Sequence, residues 1–193
     1  RAIAEERGAR GVTALPDNLG EHGATGTVDG MRSEEFFERA RRAGIIAEPD
    51  AFAGAYPGPG FGIAGTRRLT GVEDRPLIGT IIKPSIGLDA DETAALTKTL
   101  CEAGIDFIKD DELQIDGTHC PFDARVRSVM RVIYNHADKT GRMVMYAFNI
   151  TGDLDPMRRR RDLVIEHGGT CVMTSLNSVG LVGMIEIARQ SPV

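Results

Sequence analysis

GIDFIKDDELQ, Gly104–Gln114, carries an apolar run straight into one lysine and three acids. Side chains alternate along a strand, so Phe107, Lys109 and Asp111 point one way while Ile108 and Asp110 point the other. Lys109 and Asp111 therefore share a face, Glu112 can turn in from just past the strand end, and Asp110 is left as the bystander. Polar groups at the carboxyl ends of buried parallel strands mark the working face of an α/β barrel. A solvated, charged βα loop is the competing reading of the same four residues.

The flanking sequence supports a strand here. LIGTIIKP (Leu77–Pro84) is a β-branched run stopped by proline, and DADETAALTKTLCEAG (Asp89–Gly104) reads as a helix with Asp89 as cap and Gly104 as stop. The strand Asp106–Glu112 follows. Phe122–Gly141 is an amphipathic helix in which Val126, Met130, Ile133 and Ala137 keep helical spacing. Arg142–Thr151 is the third strand, Asp155–Gly168 the third helix, Thr170–Ser178 the fourth strand, and Gly180–Gln190 begins a fourth helix.

Strand–helix alternation at this length gives parallel βαβ units, and nearly continuous apolar strands fit a sheet covered on both faces. Lys83, Lys109–Glu112, Asn149, Thr151, Ser175 and Asn177 all gather at strand carboxyl ends. Neither GxGxxG nor a Walker A pattern is present, which lowers a nucleotide-binding reading. The predicted fold is α/β, a partial TIM (β/α)8 barrel of about four βα units. A whole barrel takes roughly 250 residues and eight units, so 71–193 is read as its truncated first half.

Residues 1–70 are read as a poorly patterned N-terminal segment and linker. Residues 1–65 hold 12 of the 23 glycines, so loops and turns should dominate there. The exception is SEEFFERARRAGI (Ser33–Ile45), where Ser33 can cap and Phe36, Phe37 and Ala40 share a face, predicting a short helix. FAGAYPGPGFG (Phe52–Gly62) follows as a turn-rich loop.

The 193 residues are 41% hydrophobic and 26% charged, an ordinary globular composition. A net charge of −5 with interspersed signs gives no reason to expect nucleic acid or an anionic membrane as partner. No apolar run approaches the ~20 residues that span a bilayer, and Arg1–Leu15 holds no signal-peptide core. The expectation is a cytoplasmic protein, of which this is a piece of a longer chain. Cys101, Cys120 and Cys171 lack CxxC spacing and are read as reduced core residues.

Two convergent carboxylates suit a hard cation such as Mg2+, which prefers oxygen ligands. An ammonium cannot ligate a cation. Lys109 must then neutralise the pair, or take up CO2 as a carbamate and become an anionic oxygen ligand. Lys83, closing its strand before Pro84, is either a snorkelling rim lysine or a general acid–base or oxyanion-stabilising cation. Asn149 either hydrogen-bonds a ligand or caps its strand. His119 and Cys120 are read as turn structure before Pro121, His167 as a helix C-terminal cation, and Arg158–Arg161 as a solvated helix face.

RPLIGTIIKPSIGL (Arg75–Leu88), followed by GIDFIKDDE (Gly104–Glu112), resembles the ribulose-bisphosphate carboxylase (RuBisCO) large-subunit superfamily. FAGAYPGPGFGIAGTRRLTGV (Phe52–Val72) is similar to the connection before that family's barrel, and YAFNITG (Tyr146–Gly152) to its third-strand region. The resemblance implies that Lys109 is the carbamylated lysine, with Asp111 and Glu112 as the other Mg2+ ligands. Lys83 is then the active-site lysine at the end of the first barrel strand; Asn149 stays a candidate substrate contact on the reading of its own strand end alone. The shared chemistry is proton abstraction beside a carbonyl to give a metal-stabilised enediolate.

Carboxylases of the family carry a KPK pattern and continue KDDEN; this chain has Lys83-Pro84-Ser85 and KDDEL. Those departures resemble RuBisCO-like proteins, the form IV branch, whose members are enolases, isomerases or decarboxylases of phosphorylated sugar-type substrates. The function implied is Mg2+-dependent enolisation of a phosphorylated ketose or keto sugar acid, with isomerisation or decarboxylation. Ribulose-bisphosphate carboxylase itself and a non-catalytic scaffold are the alternatives. The family also implies a homodimer that completes its site with a partner's N-terminal domain. Residues 1–50 do not resemble that domain, and this piece alone should be inactive.

Overall fold

Four parallel strands, each followed by a helix, form the larger part of the computed structural model, which describes residues 60–192 together with Thr27–Val28 and Met31–Arg32. The chain divides into two compact units, Arg1–Gly58 and Pro59–Val193. In the first, β1 (Thr27–Val28) and β2 (Met31–Arg32) pair antiparallel. The helix expected over Ser33–Ile45, and the loop expected from Phe52 as far as residue 59, lie outside the described residues.

The second unit begins with α1 (Gly62–Thr70), then alternates: β3 (Gly79–Ile81), α2 (Ala90–Glu102), β4 (Phe107–Lys109), α3 (Phe122–Thr140), β5 (Met145–Asn149), α4 (Leu154–Glu166), β6 (Cys171–Met173) and α5 (Leu176–Gln190). Each strand pairs in parallel with the next in sequence, Gly79 opposite Phe107, Phe107 opposite Met145, and Ala147 opposite Cys171. A doubly wound sheet reverses its order at a switch point. This sheet keeps sequence order throughout, as half of a (β/α)8 barrel must.

The helix-facing layer is built from Ile82, Ile108, Tyr146, Phe148 and Ile150 of the strands and Phe122, Val126, Val129, Met130 and Ile133 of α3, all essentially buried. Removing each such side chain from water contributes roughly 1.5–3 kcal/mol, and together they fix which face of β4 and β5 turns inward. Cys101 is buried among them, Cys120 is buried beside Arg125, and all three described cysteines are free. Burial pushes the thiols of Cys101, in the core, and of Cys171, which is partly buried, up to about 11.

Helix ends follow local chemistry. Asp89 closes a capping box on α2: its carboxylate accepts from the N–H groups of Asp91 and Glu92, while Glu92 accepts from Asp89 N at 2.9 Å. Gly141, at φ 71°, terminates α3 in the left-handed region. At the amino end of β4, buried Asp106 accepts both guanidinium nitrogens of Arg75 at 2.6 and 2.9 Å and Ile78 N at 2.8 Å, and also pairs with Arg142.

Three features differ from expectation. Helix α1 carries no predicted element, because Gly62 and Gly65 depress its helix propensity. It is held by Thr66 and Thr70 hydroxyls donating back one turn and by Gly71 in the left-handed region at its end. Strand β4 stops at Lys109, not Glu112, since the Asp111 carboxylate accepts Leu113 N at 2.9 Å and turns the chain. The fourth strand ends at Met173, not Ser178; α5 starts at Leu176 and bends at Gly180 (φ 67°, ψ 173°). Among the described residues no helix is long and apolar enough to cross a membrane.

Candidate functional site

The register of β3, β4 and β5 decides which tip residues meet. Ile81 lies opposite Lys109 and Lys109 opposite Ala147, so Lys83, Asp111 and Asn149 arrive at one level two residues later. Lys83 Nζ donates to Asp111 Oδ2, and the Ser85 hydroxyl closes a triangle, 3.0 Å from Lys83 Nζ and 3.1 Å from Asp111 Oδ2. Burial alone pushes the Asp111 carboxyl up. Hydrogen bonds from Lys83, Leu113 N–H and Ser85 more than offset it and hold the group below the ordinary carboxylate value.

Lys109 makes the second pair. Its Nζ donates to Glu112 Oε1 at 2.7 Å and to the Asp110 carbonyl at 3.0 Å. The Glu112 carboxyl is held below its usual value chiefly by that lysine hydrogen bond. The four residues singled out by sequence thus form two ammonium–carboxylate pairs at adjoining strand tips. Lys83 and Glu112 stay about half exposed (57% and 52%), so both pairs can reopen toward solvent.

Asp110 faces the helices, as strand parity requires, but there it is an anchor. Its carboxylate accepts Arg125 Nε at 3.2 Å, Asn149 N at 2.9 Å and the Tyr146 hydroxyl. Burial raises its carboxyl above the usual value against the pull of Arg125 and the two hydrogen-bond donors, and raises the Tyr146 phenol likewise. Arg125, fully buried, also donates to the carbonyls of Gln114, Ile115 and Cys120, gripping the loop that leaves the acids. Sequence reasoning missed Arg125 and Tyr146. The signal was available: Arg125 sits on the apolar face of α3, one turn before Val129, where a charge demands a buried counter-ion.

Asn149 is fully buried. Its Nδ2 donates to the carbonyls of Asp111 and Glu112, both at 3.0 Å, and its Oδ1 accepts Thr151 N at 3.1 Å and Thr151 Oγ1 at 2.6 Å. Ser175 N donates to Thr151 Oγ1 at 2.9 Å. His119 Nε2 lies 2.9 Å from the Gly87 carbonyl, joining the loops after β3 and β4, and Cys120 is buried beside Arg125. His167 caps the end of α4.

Arg158–Arg161 correct the expectation of a solvated face. Arg158 pairs with Asp155 and Glu186, Arg159 with Asp123, and Arg161 with Asp162 and the Gln190 carbonyl. Arg160 donates to the Thr151 carbonyl at 2.8 Å and to Asp116 at 3.1 Å, bracing the β5 tip from behind. Acids on α3, α5 and the β4–α3 loop hold Arg158, Arg159 and Arg160, pairings that one helix read alone does not reveal, while Arg161 pairs with its own neighbour Asp162.

The donor set has a definite chemistry. Among the described residues no three His, Cys, Asp or Glu side chains are placed to hold a metal ion. Asp111 and Glu112 offer hard oxygen ligands, and two amines adjoin them, Lys83 on Asp111 and Lys109 on Glu112, either of which could supply a third as a carbamate. A carbamate on Lys109 would remove the ammonium now paired with Glu112 and leave three oxygen donors of the kind Mg2+ takes.

Residues 62–193 match the family model of the ribulose bisphosphate carboxylase large chain, catalytic domain. The chain is 64% identical over 143 residues to a 3-oxo-isoapionate-4-phosphate transcarboxylase/hydrolase of Xanthobacter autotrophicus, covering 74% of this chain and 34% of that protein. It is 51% identical over 144 residues to a 3-oxo-isoapionate-4-phosphate decarboxylase of Rhizobium rhizogenes, with 74% and 34% covered. The crystal structure of a rubisco-like protein from Burkholderia fungorum superposes with a TM-score of 0.73 at 51% identity, covering 76% of this chain and 36% of that one. The chain therefore spans about a third of the length of the relatives it matches.

Proposed function

This chain belongs to the ribulose bisphosphate carboxylase large-chain family, and from that premise we propose that it supplies part of a Mg2+-dependent site that enolises a phosphorylated 3-oxo sugar acid and removes its carboxylate. The observation that carries the reading is the meeting of Lys83, Lys109, Asp111 and Glu112 at adjoining strand tips. The relatives' shared substrate, 3-oxo-isoapionate-4-phosphate, supports the substrate class. Lys109 as carbamate, Asp111 and Glu112 would hold the ion, which when bound polarises a substrate carbonyl as a Lewis acid.

In a 3-oxo acid the bond to the carboxylate carbon breaks with its electron pair moving into the 3-oxo carbonyl. CO2 leaves and an enolate oxygen remains. Lys83 is the cation free to serve that oxygen: its Nζ projects half-exposed from the β3 tip and is steered by Ser85 and Asp111. It holds or delivers a proton there, and protonation at carbon completes a phosphorylated keto sugar. Ser85 stands where carboxylases of the family carry a second lysine, so the positive charge of a KPK pattern is absent from this mouth. The assembled protein is read as a cytoplasmic homodimer.

Isothermal titration of the full-length protein with Mg2+ and bicarbonate tests the site. Binding should be lost in Lys109→Ala and in Asp111→Ala. Undiminished binding by both variants would remove the metal site and leave a scaffold.

A further inference from the structure

We propose that Asn149 is a positioning residue of this site, holding the main chain of both candidate carboxylate ligands through a hydrogen-bond stitch that runs on to Thr151 and Ser175. The proposal rests on the reading of Lys109, Asp111 and Glu112 as the metal-holding set and adds what keeps that set in place. An asparagine side chain has two N–H donors and an oxygen that accepts twice. All four capacities are filled: two carbonyls, of Asp111 and Glu112, and two donors, the amide and hydroxyl of Thr151. No capacity remains for a substrate, so of the two roles open to Asn149 only the structural tie survives.

The partners also fix the orientation of the amide. Backbone carbonyls can only accept and the Thr151 N–H can only donate, so the nitrogen must face β4 and the oxygen Thr151. Thr151 Oγ1 in turn accepts Ser175 N, so the stitch joins the tips of β4, β5 and β6 in order. Glu112 needs such help. Its side chain is half exposed and its one side-chain partner, Lys109, is the group whose charge must change if the carbamate forms. Once that ion pair is gone, the carbonyl held by Asn149 remains to fix where Glu112 starts from.

Partners that orient metal ligands typically contribute 10–100-fold to metal affinity. Mg2+ titration with bicarbonate on the full-length protein, well below its melting temperature, reads this directly. Asn149→Ser, too short to reach both carbonyls and unchanged in charge, should weaken Mg2+ about tenfold or more. Thr151→Val should weaken it less, and Thr151→Ser, which restores the hydroxyl, should bind like the parent. Asp106→Asn, at the opposite end of β4, should lower the melting temperature without changing Mg2+ affinity, separating positioning from general destabilisation. Should Asn149→Ser not fold, Thr151→Val against Thr151→Ser decides. Mg2+ affinities within about twofold of the parent for Asn149→Ser and Thr151→Val would overturn the proposal. A parent protein that binds no Mg2+ would overturn the metal site beneath it, a failure visible before any variant is made.

Discussion

Asp110 and Asp111 are neighbours in sequence and opposites in surroundings. Asp110 is sealed between sheet and helices, its carboxylate filled by Arg125, Tyr146 and the Asn149 N–H, and Arg125 is as buried as it is. Asp111 is also buried, at 2% exposure, but its ion-pair partner Lys83 is half exposed at the mouth and can swing into water. One side of the β4 tip is built to stay fixed and the other to exchange partners. Arg125 couples them, since it grips both Asp110 and the loop that carries the chain away from the acids.

Breaking the fixed side should have the largest effect. Arg125→Met leaves Asp110 as an uncompensated buried charge, which costs about 3–5 kcal/mol. Urea denaturation of the full-length protein measures it, and adding Asp110→Asn should restore part of the loss. A single-variant loss below about 1 kcal/mol, the range of surface pairs, would mean that Asp110 and Arg125 are not a sealed pair. Tyr146→Phe is the milder cut: it removes one donor from a buried carboxylate and should cost about 1–3 kcal/mol.

The mouth side should respond in the reverse manner. In Asp111→Asn the new side-chain oxygen can still accept Leu113 N, and Lys83, already half exposed, is taken up by water. Asp111 is buried and Lys83 is not, so the change should be that of a weakened hydrogen bond, about 0.5–1.5 kcal/mol, while Mg2+ binding disappears. A loss as large as that of Arg125→Met would show that the two carboxylates differ less than their surroundings imply.

Much of this was legible in GIDFIKDDELQ because strand parity is local: alternation alone put Lys109 and Asp111 on one face and Asp110 on the other. The βα alternation and the barrel followed from patterns of similar range. What parity could not show is what each face meets. Asp110 read as a bystander because its partners lie 15 and 36 residues away on α3 and β5. Asn149 stayed ambiguous for the same reason, its two carbonyl partners being 38 and 37 residues distant. The arginine run read as solvated because the acids that hold Arg158, Arg159 and Arg160 from outside α4 sit on three other segments.

The smallest effect sharpens the comparison from the loop between the two sides. Asp116 accepts Phe122 N at 2.9 Å, at the start of α3, and Arg160 Nη2 at 3.1 Å, while Arg160 braces the Thr151 carbonyl. Burial pushes the Asp116 carboxyl up, but the Phe122 N–H and the Arg160 and Arg159 charges outweigh it and hold the group below its ordinary value. A carboxyl with a depressed folded-state pKa stabilises the fold fully above its unfolded value of ~3.9 and loses that contribution as pH falls through the folded one. Asp116→Asn keeps an acceptor for Phe122 N and loses only the charge. It should therefore cost about 0.5 kcal/mol at neutral pH, as partly exposed pairs do. The gap to the parent should begin to close as the pH drops below ~4 and vanish only below the depressed folded-state value, where the parent's own carboxylate is protonated. Urea midpoints at neutral and acidic pH measure both values. A gap that persists or widens in acid would mean that Asp116 acts through shape alone, and that the loop joining anchor to mouth does not depend on charge.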